Sequence, residues 1–420
     1  MKYIYLLFFL LCSLVGISQT VTGVTSTTAN GSYKAGDIIS INVGFSSVVY
    51  VRGTPQITLE TGSSDAVINY TSGSGSNTLT FDYTVASNHN SSDLDYVATN
   101  SLVVPGGLNL GSPVYEDTDR IALGITISGN YAYVANENSG LAIIDISNPS
   151  NPGTPVYRDT NGSATGVTIS GNYAYVADYT SGLAIIDISN PSSPGTPVYR
   201  ATSKAYGVAI SGNYAYVADG NAGLAVIDIS NPASPGAPVY RSITGSARGV
   251  AISGNYAYVA ARSSGLAIID ISNPTSPGTP VYRKADGFAL GVTVSGNYAY
   301  LADNTAGLAV IDISDPTNPG TPENENTTGD AYGVAINGNY AYVANRGSGL
   351  AVIDISDPTN PGTPVYQNTN DYAYGVSIKG NYAYVSDGNY GLAIIPIFNT
   401  ITNLSGDIAT LTLPSPGASN

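Results

Sequence analysis

Short apolar runs separated by Gly, Asn or Pro recur along the chain and predict its secondary structure. In one unit the runs cover residues 207–210, 214–218, 224–229 and 238–241, with a turn signal between each pair. Runs this short, bounded by turn residues, are typical of β-strands, because helices need longer periodic segments. The pattern predicts an all-β protein whose repeating unit contains four strands, which excludes leucine-rich and helical solenoids.

One hexapeptide, Gly-Asn-Tyr-Ala-Tyr-Val, marks the repeat, with Leu301 closing one copy. Its copies begin at Gly129, Gly171, Gly212, Gly254, Gly296, Gly338 and Gly380, so that the spacing is 42 residues except for one step of 41. A period near 42 residues suits the four-stranded blade of a β-propeller. The sequence therefore predicts a seven-bladed β-propeller over residues 111–398.

Side-chain alternation predicts how the blades pack. The third run, Leu141 to Ile146, is apolar on both faces, as expected for a strand sandwiched between two other blades. In the second run Tyr131 and Tyr133 point one way, while Ala132 and Val134 point the other. We expect large faces to meet small faces around the ring, with the tyrosines in the core.

A Pro-Val-Tyr run predicts the outermost strand of each blade. Its copies start at Pro113, Pro155, Pro197, Pro238, Pro280 and Pro364, with a degenerate copy at Pro322 to Asn324. The first copy precedes the first complete repeat, and nothing similar follows Ile397. The seventh blade is therefore expected to take residues 113–115 as its outer strand, which seals the ring and removes exposed strand edges.

The pentapeptides Leu-Ala-Ile-Ile-Asp and Leu-Ala-Val-Ile-Asp of the third run resemble the repeat of the LVIVD-repeat propellers. The resemblance covers Gly111 to about Phe398, and the last copy departs from it with Pro396 in place of Asp. It implies the propeller fold. It says little about activity, since members of this family resemble cell-surface or secreted propellers of mostly unassigned function.

Residues 20–110 alternate apolar and polar positions in short runs, which predicts a small β-sandwich. The string from Tyr70 to Tyr83, followed by Ser92 to Tyr96, resembles an immunoglobulin-like module of bacterial surface adhesins. This resemblance implies a last strand at Ile408 to Pro414. The expected organisation is residues 19–110 as the first part of the sandwich, an inserted propeller, and residues 399–420 as its last strand and tail.

Residues 1–18 have the features of a signal peptide. Lys2 is followed by an apolar run from Ile4 to Ile17, and small residues precede a cut near Gln19. An uncleaved anchor is the alternative, but the run is shorter than the roughly 20 residues that a bilayer span needs. We expect a bacterial protein, secreted or at the cell surface, with no membrane span after cleavage.

The net charge limits the kinds of partner that the protein can bind, and the cysteine content limits its disulfides. The formal charge of −15 argues against nucleic acid or an anionic membrane as the main partner. Cys12 lies inside the predicted signal peptide, so the mature protein is expected to have no disulfide.

The two ends of the predicted blades differ in sequence. The Ser-Gly-Asn and Asn-Pro turns recur almost unchanged on one face, whereas the opposite face varies and carries ten of the fourteen Lys and Arg residues. The residues before the first-strand glycines are expected to ring the channel mouth: Leu123, Thr165, Tyr206, Arg248, Leu290, Tyr332 and Tyr374. Aromatic and Arg side chains together suit saccharide or protein recognition.

The candidate ligand-binding residues on this varied face are Tyr179, Lys204, Tyr206, Arg248, Arg262, Lys284, Phe288, Tyr332, Arg346, Tyr372 and Tyr374.

A second set of residues suggests metal or acid–base chemistry but has a structural explanation. Asp145, Asp187, Asp228, Asp270, Asp312 and Asp354 each precede an Ile-Ser-Asn-Pro or Ile-Ser-Asp-Pro turn. A carboxylate there can accept backbone N–H bonds. Asp93 and Asp95 form a pair that is too weak a signal for calcium. No metal and no cofactor are expected.

Catalysis is disfavoured by the side chains that the chain lacks. His89 is the single histidine, is expected in a loop, and lies outside the propeller. The chain has no Trp, so the tryptophan-bearing signatures of Asp-box sialidases, WD40 blades and quinoprotein propellers cannot be present. A carboxylate-only glycosidase stays open. Its candidate acids, Asp286, Asp330 and Asp371, are expected to be loop residues without partners.

Three functions follow. The leading hypothesis is a non-catalytic, monomeric adhesion or recognition protein that binds a glycan or an extracellular protein through the varied face. The alternatives are a structural spacer in a surface layer and a polysaccharide hydrolase.

Overall fold

The computed structural model describes residues 21–29, 31–49, 55–62, 65–74, 76–91, 94–97, 102–103, 108–399 and 411–412. Every regular element in these ranges is a β-strand, numbered β1 to β38 in chain order. The chain divides into two compact units, residues 110–398 and residues 1–109 together with 399–420. The predicted signal peptide and Asp93 lie outside the described residues.

The larger unit contains seven sheets, called blades 1 to 7 here. In blades 1 to 6, four antiparallel strands follow chain order. The innermost strands are β11 (Gly124–Ser128), β15 (Gly166–Ser170), β19 (Gly207–Ser211), β23 (Gly249–Ser253), β27 (Gly291–Ser295) and β31 (Gly333–Asn337). The second strands are β12 (Tyr131–Ala135), β16 (Tyr173–Ala177), β20 (Tyr214–Ala218), β24 (Tyr256–Ala260), β28 (Tyr298–Ala302) and β32 (Tyr340–Ala344).

The two outer positions complete these blades. The third strands are β13 (Leu141–Asp145), β17 (Leu183–Asp187), β21 (Leu224–Asp228), β25 (Leu266–Asp270), β29 (Leu308–Asp312) and β33 (Leu350–Asp354). The outermost strands are β14 (Val156–Arg158), β18 (Val198–Arg200), β22 (Val239–Arg241), β26 (Val281–Arg283), β30 (Glu323–Glu325) and β34 (Val365–Gln367). Four strands per repeat are therefore confirmed.

Blade 7 is built from both ends of the repeat region. Its strands are β35 (Ala373–Lys379), β36 (Tyr382–Asp387), β37 (Leu392–Asn399) and β10 (Val114–Glu116), and β9 (Leu108–Leu110) also pairs with β37. The register pairs Val114 with Ile394 and Tyr115 with Ala393. The predicted closing strand is therefore confirmed.

Two polar side chains add to this closure between blades 7 and 1. Ser386 donates a hydrogen bond of 2.6 Å to the carbonyl of Leu123 and accepts one of 2.8 Å from the amide of Gly375. The Lys379 ammonium donates to Oδ1 of Asn130 at 3.2 Å. The bonds to Leu123 and Asn130 join residues 263 and 249 positions apart in sequence.

The blades pack as the alternation predicts. Tyr133 and Ile143 of blade 1 lie in one buried cluster with Ala174 and Ala184 of blade 2. The same interface recurs between blades 7 and 1. The second tyrosine of each copy is buried, whereas the first, such as Tyr131, is half-buried at the edge of the cluster. The prediction that these tyrosines lie in the core is therefore confirmed for the second tyrosine of each copy, whereas the first is only half-buried.

Four arginines counted on the varied face instead link neighbouring blades. Each ends an outermost strand and donates from its guanidinium to a proline carbonyl of the next blade: Arg158 to Pro194, Arg200 to Pro235, Arg241 to Pro277 and Arg283 to Pro319. These four residues add to the basic count of the varied face, but their guanidinium groups link blades, and none of the four is a candidate ligand-binding residue. Blade 5 has Glu325 at this position.

In the smaller unit, the described residues between 21 and 103 form eight strands. These are β1 (Val21–Ser26), β2 (Gly31–Ser32), β3 (Ile38–Val49), β4 (Gln56–Glu60), β5 (Ala66–Ser72), β6 (Ser76–Thr84), β7 (Asp95–Tyr96) and β8 (Leu102–Val103). The hydrogen-bonded order is β1-β3-β6-β5-β4-β7, with β8 also paired to β4, around a core that includes Ile41, Leu59 and Phe81. Its immunoglobulin-like character stays a prediction.

The carboxyl end contributes a short strand to this unit. Residues 411–412, within the predicted last strand, form β38 and pair in parallel with β2. Among the described residues, no helix is long and apolar enough to cross a membrane.

Candidate binding site at the mouth of the central pocket

The innermost strands surround a pocket with a cavity volume of about 320 Å³. Three rings of residues line it. The outer ring is Leu123, Thr165, Tyr206, Arg248, Leu290, Tyr332 and Tyr374, called the mouth ring here. Below it lie the seven glycines that follow these residues, and then a ring of one Ile and six Val residues. The predicted mouth positions therefore do meet around one opening.

The glycine ring brings neighbouring blades close together at the centre. A Cβ atom on Gly207 would lie 2.8 Å from the carbonyl oxygen of Arg248, and one on Gly291 would lie 2.7 Å from that of Tyr332. Real Cβ atoms do not approach backbone oxygens this closely without a shift of the backbone. Glycine at this position therefore sets the width of the pocket.

A second set of residues is held beside the mouth ring by backbone pairing. In each blade, the turn after the second strand forms a bridge with the alanine that precedes the mouth residue of the next blade. Tyr179 pairs in this way with Ala205, and Arg346 pairs with Ala373. The side chains on either side of that alanine then lie next to the turn residue.

One cluster forms at blades 2 to 4. The rings of Tyr179 and Tyr206 meet edge to face with centroids 5.3 Å apart. Lys204 Nζ lies 5.5 Å from the Tyr179 centroid, and the Arg248 guanidinium carbon lies 3.8 Å from that of Tyr206. Hydrogen bonds from Tyr206 and Lys204 lower the pKa of Tyr179, whereas burial raises the pKa of Tyr206.

A second cluster forms at blades 6 and 7. Tyr332 and Tyr374 meet edge to face at 5.1 Å, and Tyr372 lies 6.4 Å from Tyr374. The Arg346 guanidinium lies 4.8 Å from the Tyr372 centroid, and its Nη1 forms an ion pair of 3.2 Å with Asp330. Burial raises the pKa of Tyr374, although Arg346 opposes the shift.

The remaining candidates are more peripheral. Arg262 lies 5.4 Å from the ring of Phe288, which is 46% exposed. Lys284 is exposed and does not line the pocket. Of the predicted residues, Tyr206, Arg248, Tyr332 and Tyr374 line the pocket, and the others except Lys284 flank it through the two clusters and the Arg262–Phe288 pair.

Seven segments of the chain match the family model of the LVIVD repeat. They are residues 119–156, 161–197, 203–237, 244–279, 286–327, 328–365 and 371–406. The chain belongs to the LVIVD repeat family.

Solved structures agree with the propeller fold of these LVIVD repeats. The β-propeller domain of Cps50 (Swd1) from Myceliophteria thermophila matches with a TM-score of 0.55 and 11% identity, covering 70% of this chain and 100% of that one. The computationally designed Ika8 protein matches with a TM-score of 0.50 and 11% identity, covering 67% and 98%. At this identity the similarity shows the fold alone. Comparison with curated proteins gave no match.

The turn position beside each mouth residue is conformationally special in the LVIVD repeats. It has a positive φ in all seven copies, and two of them carry Gly220 and Gly388 there. Tyr179, Arg262 and Arg346 occupy the same position with φ of 43°, 49° and 39°. A bulky residue in this region is strained by about 1 kcal/mol or more. The glycines in two copies were a sequence signal for this strain that the pattern reasoning missed.

A buried polar pair, also missed from the sequence, supports the loops of the varied face. The residue at the end of the second strand is Asp or Asn in six repeats. In five of them a Thr from the preceding loop bonds to it, as Thr160 does to Asp178 at 2.7 Å. Blade 4 has Ile243 and Ala261 instead, and blade 5 has Ala285 with Asp303. Asp303 thus keeps a buried carboxylate that lacks its hydroxyl partner.

The aspartates of the LVIVD pentapeptides accept the backbone hydrogen bonds expected of them. The amide of Ser147 donates to Oδ1 of Asp145 at 2.8 Å, and the same bond recurs in the other five copies. This hydrogen bonding lowers the pKa of Asp145. No group of three or more His, Cys, Asp or Glu is arranged for a metal ion among the described residues.

The three loop acids are held by basic or amide side chains. Asp330 pairs with Arg346, Asp371 accepts from Nδ2 of Asn389 at 2.7 Å, and Asp286 accepts from Nδ2 of Asn324 at 2.8 Å. His89, in the smaller unit, lies outside the strands as expected, with its Nδ1 2.7 Å from the hydroxyl of Tyr83.

Proposed function

We propose that this protein is a non-catalytic recognition protein, secreted or at the cell surface, that binds a glycan or a protein at the mouth ring. The observation that carries the proposal is the strain at Tyr179, Arg262 and Arg346. Glycine fits that position in two other repeats without strain, so the scaffold does not need these side chains there. Strained residues of this kind concentrate at functional sites.

The chemistry of the two clusters supports binding. Tyrosine offers a large, rigid contact surface with a polar hydroxyl, and Arg beside aromatic rings is typical of interaction hot spots. The pocket volume lies at the lower end of the range for small-ligand sites, which is about 300–1,000 Å³. A saccharide ring or a protruding side chain of a partner protein has a suitable size.

Binding to a saccharide panel tests the proposal. Ligand at a hundred times its dissociation constant should stabilise the protein by about 2.7 kcal/mol, a readable shift of the unfolding midpoint. The Tyr206→Ala, Tyr332→Ala and Tyr374→Ala variants should each lose the shift. Tyr240→Ala is the matched control, because Tyr240 is an exposed tyrosine of an outermost strand that does not line the pocket.

The alternatives give different results. A structural spacer predicts no saccharide or protein ligand that depends on the mouth tyrosines. A polysaccharide hydrolase predicts turnover, so release of reducing ends from a bound polysaccharide would contradict a purely binding role.

We further propose the immunoglobulin-like assignment for the smaller unit and signal-peptide cleavage near Gln19. Antiparallel pairing around one core and the pairing of Leu411–Thr412 with Gly31–Ser32 support the first assignment. Mass spectrometry of the secreted protein tests the second.

A further inference from the structure

Of the arginines whose side-chain contacts are described, Arg248 and Arg262 have neither a hydrogen bond nor an ion pair, and Arg248 is the one of the two that lines the pocket. Arg346 is paired with Asp330, and four arginines donate to proline carbonyls of the next blade. The Arg248 side chain has no hydrogen bond or ion pair within the described part of the chain. Its Nε is buried without a partner, as is the Nε of each of the five paired arginines, so the difference lies in the terminal nitrogens of the guanidinium. Its contact is the stack on Tyr206 at 3.8 Å.

The pocket around Arg248 leaves this charge uncompensated. Of the described residues that line the pocket, Arg248 is the one with a charged side chain, and none is acidic. This is a local exception in a chain with a formal charge of −15. Arg248 is half-buried. A guanidinium with free donors in such a place favours an anionic group that accepts two parallel hydrogen bonds, and a carboxylate or sulfate has that geometry.

The opposite side of the mouth ring complements this charge. Tyr332 and Tyr374 present ring surfaces two and three blades beyond Arg248, in the same pocket. The C–H face of a sugar ring can pack against such tyrosines while an acidic substituent on the sugar reaches Arg248. A protein partner would need roughly 800 Å² of contact surface extending beyond the pocket, whereas a sugar ring has a size suited to the pocket itself.

We propose that the mouth ring binds an acidic saccharide whose carboxylate or sulfate pairs with Arg248. This inference rests on the proposed recognition function and specifies its ligand class. Tyr206 holds the guanidinium in place by stacking, and the apolar ring of Ile and Val residues closes the pocket below.

Calorimetric titration with matched saccharides tests the inference. The probes are tetragalacturonate and its carboxyl-reduced tetrasaccharide, and a sulfated galactan tetrasaccharide and its desulfated form. A hydrogen-bonded charge pair should make an acidic member bind at least about tenfold more tightly than its neutral partner. The carboxylate and sulfate arms distinguish the two sources of the anionic group.

Two variants assign the effect to Arg248. Arg248→Gln should abolish the preference, so that the acidic and the neutral member of each pair bind with similar affinity. Arg120→Gln is the control, because it removes one positive charge from an exposed loop residue that does not line the pocket. It should keep the preference.

The outcomes separate this inference from the proposed function. Equal binding of acidic and neutral probes, both lost in Tyr332→Ala, would overturn the acidic class and keep recognition at the mouth ring. An unchanged preference in Arg248→Gln would overturn the role of Arg248. If no acidic probe binds, the inference fails, and recognition is then tested with protein ligands and the same tyrosine variants.

Discussion

The backbone amide of Gly287 donates a hydrogen bond of 2.8 Å to Oδ2 of Asp303, while Oδ1 of the same carboxylate is buried and has no partner among the described residues. In blade 2 the equivalent Asp178 also receives the hydroxyl of Thr160. Blade 5 has Ala285 at that position. Burial consequently raises the pKa of Asp303 to about 6.

We predict that Ala285→Thr stabilises the protein in a pH-dependent way. A carboxyl whose pKa is raised in the folded state binds its proton more tightly when folded, so its contribution to stability falls as pH rises from about 4 to 6. The full loss is on the order of 3 kcal/mol. A hydroxyl donor to Oδ1 should recover about 1–2 kcal/mol of unfolding free energy at pH 8 and little at pH 4.

Urea unfolding at the two pH values measures this difference. Ile243→Thr is the control, because it introduces the same side chain opposite Ala261, where no carboxylate stands. Its effect should not change with pH. An Ala285→Thr effect of equal size at both pH values would contradict the assignment to Asp303.

The arginine links predict a stabilising substitution in blade 5. In Glu325→Arg the new guanidinium should donate to the carbonyl of Pro361. Pro361 lies 36 residues after position 325, the same separation as between Arg158 and Pro194. We expect about 1 kcal/mol of added stability from denaturant unfolding. Glu323→Arg makes the same charge change at an exposed position of the same strand and should have no such effect.

The converse substitution should destabilise. Arg200→Ala removes a charged donor to the Pro235 carbonyl and should lower the free energy of unfolding by about 1–3 kcal/mol. A loss no greater than that of an exposed surface variant would argue against the link.

The strained backbone at Arg262 predicts that its glycine variant is more stable than its alanine variant. Arg262→Gly and Arg262→Ala both remove the contact with Phe288, but only glycine relieves the φ of 49°. The glycine variant should therefore be more stable than the alanine variant by about 1 kcal/mol. Equal stabilities from chemical denaturation would mean that the backbone at Arg262 is unstrained.

The glycine ring predicts a steric limit at the centre. Gly207→Ala places a Cβ 2.8 Å from the Arg248 carbonyl, so the blades must separate, and we expect a loss of about 2–3 kcal/mol together with weaker ligand binding. Gly212→Ala meets no atom within 4 Å and carries only the cost of its positive φ, about 1 kcal/mol. A calorimetric scan of both variants tests the difference. Similar losses would show that crowding at Gly207 is relieved without strain.

The sequence predicted much of the candidate site, because the repeat fixes each residue's position within its blade. Once Gly207 is known to begin an innermost strand, Tyr206 must lie at the mouth of the channel. The roles of Arg158 and Asp330 were not predictable in this way. Each role depends on a partner in another blade or turn, and single-repeat patterns do not specify which loop side chains reach across.

By itself, the sequence determined the number of blades, the four strands in each, the large-on-small packing of Tyr133 against Ala174, and ring closure by residues 113–115. These follow from period-two alternation and from a copy count, which are local properties. Only the tertiary structure decided that Arg248 stacks on Tyr206 while Arg346 pairs with Asp330, and that Asp303 lacks a donor. Those outcomes depend on which side chains come within contact distance of each other, and the conformations of the loops and the packing of neighbouring blades set those distances.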